Sequence, residues 1–159
     1  MTRERFISLL GKEQEGLLKF LLALCDGNYP EAEDLAQETS LRAYLSYRGY
    51  VERFKFATWL YRIAYNSFID HKRKKSIPTE PLEAGIHIEG SERHNRMEYE
   101  GLYSAIEGLP LDEKTAILLF YMEDMKIIDI AKVMRKPIGT VKSYLSRGRN
   151  HLKEKLRDE

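Results

Sequence analysis

Apolar residues recur at intervals of three and four residues along most of the chain, and no run alternates as a half-buried strand would. This pattern predicts three helices in the first half, at about 3–25, 30–47 and 57–74. Pro30 suits the first turn of the second helix, and Gly49 suits its end. In the first two helices the pattern places these side chains toward a core: Phe6, Ile7, Leu10, Leu17, Leu18, Leu21, Leu22, Ala32, Leu35, Ala36, Leu41 and Leu45.

The character of the sequence changes after residue 75. The segment SIPTEPLEAGIHIEGSE combines prolines, glycines and acidic residues, which is typical of a flexible linker, here over 76–95. Helical periodicity then resumes at about 96–108, 112–122, 127–134 and 138–157. We therefore predict an all-α fold, in which two small helical domains at 1–75 and 96–159 are joined by this linker.

The stretch MKIIDIAKVMRKPIGTVKSYLSRGRNHL predicts a short helix, a tight turn and a longer basic helix. Ala131 is small enough to let the second helix cross closely, and Val141, Leu145 and Leu152 mark the buried side of that helix. The opposite side is cationic and hydroxylated: Lys142, Ser143, Ser146, Arg147 and Arg149. This arrangement is typical of a helix-turn-helix, whose second helix can meet guanine edges and phosphates in the major groove. The alternative is a solvated basic face on an ordinary helix pair.

A second basic helix is predicted upstream, in FATWLYRIAYNSFIDHKRKK. One of its faces is apolar: Trp59, Leu60, Ile63, Ala64 and Phe68. Another face holds Arg62, Asn66, Ile69 and Arg73 at steps of four, three and four residues, with Tyr61 and Tyr65 alongside. Aromatic rings stack on bases, Asn bonds to base edges, and Lys and Arg hold phosphates, so this helix suits an opened or single-stranded nucleic acid. The alternative is that the aromatics are core and the basic end only matches the helix dipole.

The net charge of +1 hides a strong segregation of charge. Residues 132–157 contain nine Lys and Arg and one acidic residue, whereas residues 99–131 contain two basic and seven acidic residues. Such asymmetry says more about partners than the total does, and it favours a nucleic-acid contact near the C-terminus. The sequence shows no metal-ligand spacing, phosphate loop or nucleophile motif, so we expect neither an enzyme nor a bound cofactor or metal.

Cysteine usage and hydropathy point to the cytoplasm. Cys25 is the one cysteine and cannot form an internal disulfide, which favours a reducing compartment. The longest apolar run, LLKFLLALC, is interrupted by Lys19 and is too short to span a bilayer. Nothing resembles a signal peptide. We therefore expect a cytoplasmic protein without direct membrane insertion.

Three segments, in this order and at similar distances, resemble the extracytoplasmic-function (ECF) type of RNA polymerase sigma factor: EDLAQETSLRAY, FATWLYRIAYN and IGTVKSYLSRGRNHL. LPLDEKTAILLFYMEDM is also similar to the start of that family's C-terminal module. The resemblance implies a region 2-like domain over 1–75 that docks on core polymerase and melts the −10 element. It also implies a region 4-like helix-turn-helix domain over 96–159 that binds the −35 element.

The resemblance also implies residue roles. Core polymerase contacts would fall on one polar helix, at Asp34, Leu35, Gln37 and Glu38. Recognition and melting of the −10 element, with Asn66 reading a flipped base, would fall on Arg62, Tyr65, Asn66, Arg73 and Lys74. Contacts to the −35 element would fall on Thr140, Lys142, Ser143, Tyr144, Ser146, Arg147 and Arg149.

The sequence departs from the family pattern at four positions. Ser40 replaces a common aromatic residue, Asp124 replaces a frequent glycine, and Lys126 replaces the usual Ser or Thr helix cap. Tyr144 stands where a basic residue is frequent, so the −35 sequence preference cannot be transferred.

A transcriptional regulator that acts without polymerase is the main alternative function. Such a regulator would account for the helix-turn-helix at 127–157. It would give no role to the basic helix at 57–74 or to the polar surface at 34–41. On the sigma-factor interpretation the partners are core RNA polymerase, promoter DNA and, as is common in the family, an anti-sigma factor.

Overall fold

The computed structural model describes residues 1–50, 54–76 and 100–157, and the side chains of the last segment from residue 104 onward. Across these residues every regular element is a helix. In chain order the elements are α1 (Arg3–Leu24), α2 (Tyr29–Ser46), a 3-10 turn (Tyr47–Gly49), α3 (Phe56–Lys75), α4 (Glu100–Glu107), α5 (Leu111–Tyr121), α6 (Ile127–Met134) and α7 (Ile138–Arg157). The prediction of an all-α chain with two helical domains is confirmed. The predicted linker, apart from residue 76, lies outside the described residues.

Local signals fix the first two helices. The Thr2 hydroxyl accepts a hydrogen bond from the Arg5 amide, and the Asn28 side chain accepts one from the Glu31 amide, so each helix begins at a capped turn. Between them the chain reverses through two successive positive φ angles, 53° at Asp26 and 84° at Gly27. Gly adopts this conformation without strain, and Asp tolerates it better than most residues.

An aromatic cluster holds the N-terminal domain together. The ring of Phe6 stacks on Tyr47 with centroids 4.8 Å apart, and it meets Phe56 edge-on at 6.0 Å. Phe20 and Tyr61 form a second edge-on pair at 5.2 Å. Because these rings come from α1, α3 and the 3-10 turn, they join the start and the end of the domain, and each pair adds about 0.5–1.5 kcal/mol beyond its area burial.

Three of the side chains that the sequence pattern placed in the core are on the surface. Ile7, Leu41 and Leu45 are 52%, 58% and 76% exposed, so those predictions were wrong. The buried seam of α2 consists of the predicted Ala32, Leu35 and Ala36 and continues through two small residues, Thr39 and Ala43. Residue 41 lies about 200° around the helix from residue 39, so a seam through Thr39 turns it outward. Thr39 is polar, so the pattern of apolar residues does not place it in the core. Its hydroxyl can be buried because it donates to the Leu35 carbonyl at 2.7 Å.

The C-terminal domain is organised around α5, which is buried along 113–119 and packs against α7 and α6. Val141 and Leu145 of α7 enter the same core as Ile130 and Val133 of α6. The turn between α6 and α7 passes through Arg135, whose φ of 55° is left-handed, and the Lys136 amide closes the turn by donating to the Ala131 carbonyl. These contacts confirm the short helix, turn and longer helix that the sequence predicts.

The two domains also pack against each other. The contacts join α3 to α6 and α1 to α5. Nothing in the sequence pattern indicated this contact, because each domain already has a complete helical periodicity of its own.

We expect Phe6→Ala to lower the free energy of unfolding by about 3–5 kcal/mol, since it removes a fully buried ring from the aromatic cluster. Urea denaturation followed by circular dichroism measures this. Leu45→Ala is the matched control on an exposed position, and it should change stability by less than about 0.5 kcal/mol. Equal effects of the two substitutions would contradict the assigned core.

Candidate nucleic-acid and polymerase interfaces

The position of α7 depends on a close approach at Gly148. A Cβ at this residue would lie 2.8 Å from Ile117 Cγ1 and 3.2 Å from Ile117 Cδ1 on α5. Val141, Leu145 and Gly148 therefore form one seam at steps of four and three residues, and all three are buried. Burial of this seam turns the opposite face of α7 toward solvent.

That exposed face of α7 carries the residues predicted to bind the −35 element. Four of them are exposed and lie within about one and a half turns of the helix: Lys142, Ser143, Ser146 and Arg147. Thr140 and Tyr144 are half-buried. Arg149 is exposed but is held back on α5, because its Nε donates to the Tyr121 hydroxyl at 2.6 Å and its guanidinium lies over the Phe120 and Tyr121 rings. Four of the seven residues predicted to bind the −35 element therefore share one exposed face of α7, and Arg149 lies at the edge of that face.

The first helix of the helix-turn-helix, α6, begins without a side-chain N-cap. Lys126 occupies the N-cap position of α6 without a side-chain hydrogen bond, as its replacement of Ser or Thr implied. Asp124 has a φ of 53°, so the glycine that it replaces would have suited the backbone better. Neither departure prevents α6 from spanning the predicted residues.

On α3 the predicted −10 residues differ in accessibility. Arg62 and Asn66 are half-buried, and Arg73 and Lys74 are exposed near the helix end. Tyr65, in contrast, is only 7% exposed. Burial, with smaller contributions from the Asp112 carboxylate and from Tyr144, raises the pKa of Tyr65 to about 12. In this arrangement Tyr65 therefore faces the C-terminal domain and not solvent.

The basic end of α3 is partly paired within the protein. Lys75 Nζ lies 3.1 Å from a Glu31 carboxylate oxygen, and Arg73 lies 3.3 Å from Asp70. Both cations are largely exposed, and such surface pairs contribute little stability. Lys72, Arg73 and Lys74 consequently stay available as a cationic end on α3.

The predicted polymerase face lies on α2. Asp34 and Gln37 are exposed, and Glu38 is half-buried and bonded to Arg42 at 2.7 Å. Leu35 is a core side chain at 2% exposure, so it does not belong to the exposed face. Beside this face, Ser40 accepts a hydrogen bond from Gln14 of α1 at 3.3 Å, which couples the two helices where the family commonly has an aromatic residue.

Two exposed leucines extend this face. Asp34, Gln37, Leu41 and Leu45 follow one another at steps of three and four residues, so they lie on one side of α2. In the sequence the two leucines suit both the apolar line of this helix and the polar surface around Asp34. Only the position of α1 and α3 decides that they are exposed.

The described residues contain no cluster of His, Cys, Asp and Glu that could hold a metal ion. Among the same residues, no helix is both long enough and apolar enough to cross a bilayer.

Family comparisons match both domains. The Sigma-70 region 2 family matches residues 10–77, and the family Sigma-70, region 4 matches residues 99–152. The ECF RNA polymerase sigma factor SigW of Bacillus subtilis (strain 168) is 36% identical, over 83% of this chain and 79% of the relative. The chain belongs to the ECF type of RNA polymerase sigma factors. It is thus a sigma factor that directs promoter recognition and transcription initiation.

Other relatives agree with this assignment. The RNA polymerase sigma-H factor of Pseudomonas aeruginosa is 36% identical over 79% of this chain and 73% of the relative. Among solved structures, the sigma factor RpoE of Bartonella quintana, in complex with the anti-sigma factor NepR, superposes with a TM-score of 0.79 at 25% identity, covering 97% of this chain and 98% of that one. CnrH, in complex with the cytosolic domain of CnrY, shares the fold, with a TM-score of 0.75 at 18% identity over 99% of this chain and 91% of that one.

We expect Gly148→Ala to lower the free energy of unfolding by about 1–3 kcal/mol, because the added methyl group would overlap the buried Ile117 side chain. Thermal or urea unfolding measures the change. Gly139→Ala on the same helix is the matched control. It meets no atom within 4 Å, so the gain in helix propensity should leave stability unchanged or raise it by up to about 1 kcal/mol. A neutral Gly148→Ala would contradict the close approach of α7 to α5.

Proposed function

We propose that this sigma factor divides promoter recognition between its two domains. The N-terminal domain, over 1–75, docks on core polymerase and binds the melted −10 element, and the C-terminal domain, over 96–159, binds the −35 element as a duplex. The observation that supports this most directly is the presence of a cationic helix on each domain: α7, with an exposed basic face within a helix-turn-helix, and α3, with half-buried Arg62 and Asn66 and an exposed basic end.

The −35 element would be bound by α7 in the major groove. Lys142 and Arg147 point into solvent on the same side as Ser143 and Ser146. Arg can bond to both acceptors of a guanine edge, whereas Lys and Ser also reach phosphates. Thr140 lies at the start of the helix, where the amide groups and the dipole favour a phosphate. Tyr144 would contribute ring contacts once it is free of Asp112.

The −10 element would be held as an opened strand along α3. Asn66 and Arg62 are four residues apart and both are half-buried, which suits one walled site for a flipped base. Arg73 and Lys74 would hold the backbone one or two turns further along the same helix. Extrusion of a base costs a few kcal/mol, and the binding free energy of these contacts must offset that cost. Tyr65 would join the site only after the domains separate.

Core polymerase would dock on the exposed side of α2 through Asp34, Gln37 and Glu38, without the buried Leu35. On this proposal the protein performs no bond chemistry, and it works in the cytoplasm together with core polymerase. The solved RpoE and CnrH structures hold their sigma factors in complex with NepR and the cytosolic domain of CnrY. An anti-sigma factor is therefore a further partner that we propose for this chain.

Asn66→Ala should reduce the yield of open complexes roughly five- to tenfold, because losing a hydrogen bond to an extruded base costs about 1–1.5 kcal/mol. Permanganate footprinting with reconstituted polymerase measures the opening. Binding to core polymerase, measured on the same preparation, is the internal control and should not change. An unaltered yield of open complexes would count against the role of Asn66.

Lys142→Ala should weaken promoter binding by the polymerase complex and make it less dependent on salt. Each lost phosphate contact lowers the slope of log K against log salt by about 0.9. Filter binding across a salt series measures this slope. Lys153→Ala, exposed on the same helix but beyond the recognition face, should leave the slope as it is. If both variants shifted the slope equally, α7 would be acting through its general charge and not through a defined face.

A further inference from the structure

A carboxylate lies on the face of α3 that is proposed to bind the −10 strand. Asn66, Asp70 and Arg73 follow one another at steps of four and three residues, so they share one side of the helix. Within α3, Asp70 is the one acidic residue, and its side chain is 42% exposed. A carboxylate at this position repels the phosphates of a strand, so the face binds DNA well only when that charge is compensated.

Both oxygens of the Asp70 carboxylate face arginine side chains. Oδ1 lies 3.3 Å from Nη2 of Arg73 on the same helix, and Oδ2 lies 3.4 Å from Nη1 of Arg42 on α2. The Arg73 side chain is 72% exposed, and an ion pair this exposed is weak enough for a strand phosphate to replace the carboxylate. Asp70 therefore competes with the strand for Arg73.

Arg42 is shared between Asp70 and the proposed polymerase face. Its Nη2 lies 2.7 Å from Glu38 Oε1, whereas its Nη1 lies 3.4 Å from Asp70 Oδ2. The planar guanidinium fork can hold two carboxylates at once. The shorter distance means that Glu38 holds Arg42 more closely, so Arg42 compensates the charge of Asp70 only in part.

These pairs form a continuous ion-pair network that crosses from α2 to α3. In order, its members are Glu38, Arg42, Asp70 and Arg73. One end is a residue proposed to meet polymerase, and the other end is a residue proposed to meet the −10 strand. Members of one such network do not act independently, so a change at one end alters the interactions at the other.

We propose that Asp70 and Arg42 are positioning residues for the −10 face. In the free protein Asp70 holds Arg73 back from the strand. A cation of core polymerase that engages Glu38 frees Arg42 to pair with Asp70 alone. Asp70, now fully compensated, releases Arg73 to a phosphate. The proposal rests on the proposed function, since it assumes that α2 docks on polymerase and that α3 binds the opened strand.

Two carboxylate-to-amide substitutions in the full-length chain test this. Asp70→Asn removes the hold on Arg73. Glu38→Gln imitates engagement by a polymerase cation, because it leaves Arg42 to Asp70 alone. Glu33→Gln is the matched control, since Glu33 is an exposed residue of the same helix as Glu38 and its substitution changes the net charge by the same amount.

The measured quantity is the affinity of the free protein for a fluorescein-labelled DNA single strand of mixed sequence, followed by anisotropy across a salt series. Asp70→Asn should bind the strand roughly threefold more tightly than the parent and Glu38→Gln roughly twofold, whereas Glu33→Gln should match the parent. The additional phosphate contact should steepen the slope of log K against log salt in Asp70→Asn by up to about 0.7. Equal gains in all three variants would reduce the effect to general charge and overturn the proposal.

Two double variants separate positioning from a purely structural role. In a protein that already carries Asp70→Asn, Glu38→Gln should have no further effect, because the connection to Arg73 is interrupted. In a protein that carries Arg73→Gln, Asp70→Asn should lose most of its gain. If the effects of Glu38→Gln and Asp70→Asn simply multiplied, the network would not transmit the change. A purely structural Asp70 would lower stability in Asp70→Asn without tightening strand binding.

Failure of this proposal and failure of the proposed function give different results. If Arg73→Gln alone leaves strand binding unchanged, α3 is not the strand-binding face, and the proposed function fails together with the positioning roles. If Arg73→Gln weakens strand binding while Asp70→Asn behaves like Glu33→Gln, the proposed function stands and the positioning role of Asp70 is overturned.

Discussion

The accessible cationic faces of this protein depend on the burial of an apolar side on each helix that bears them. In α7 this side is a narrow seam of Val141, Leu145 and Gly148, and at Gly148 the backbone approaches Ile117 closely enough that a methyl group would not fit. In α3 the buried side is wider, and it includes Leu60, Ala64 and Phe68 together with Tyr61 and Tyr65. On each helix the direction of the buried side decides which cations face solvent. Electrostatic attraction to DNA then acts through a face that hydrophobic packing has oriented.

Opposite charges also join the two domains to each other. The chain is almost neutral overall, but acidic and basic residues are segregated along it. Where the domains pack together, Asp26 meets Lys114 and Asp129 meets Lys55, and the Asp112 carboxylate acts on Tyr65 and Tyr144. Both ion pairs include an exposed partner, so each stabilises the interface only modestly.

Within the part of the chain that the structure describes, three turns use left-handed residues that are not glycine. Asp26, Asp124 and Arg135 have φ between 53° and 55°. For such residues the conformation costs on the order of 1 kcal/mol or more, and it is kept because each turn aims the following segment. Asp26 gains a partner in Lys114 at the same position, so its turn both reverses the chain and presents a carboxylate to the other domain.

The sequence by itself determined the all-helical fold, the linker break, the helix-turn-helix and the family, because helical periodicity, turn residues and ordered motifs are local properties of the chain. It gave the helices to within a few residues, and it grouped Lys142, Ser143, Ser146 and Arg147 correctly on one face. Tertiary structure alone decided that Leu35 is core while Leu41 and Leu45 are surface, that Arg149 is held on α5, and that Tyr65 faces Asp112. Periodicity defines which residues share a side of a helix, but the neighbour that covers that side comes from distant parts of the chain. For the same reason the contact between the two domains left no local signal in the sequence, because it is made by residues such as Asp26 and Lys114, which are 88 positions apart.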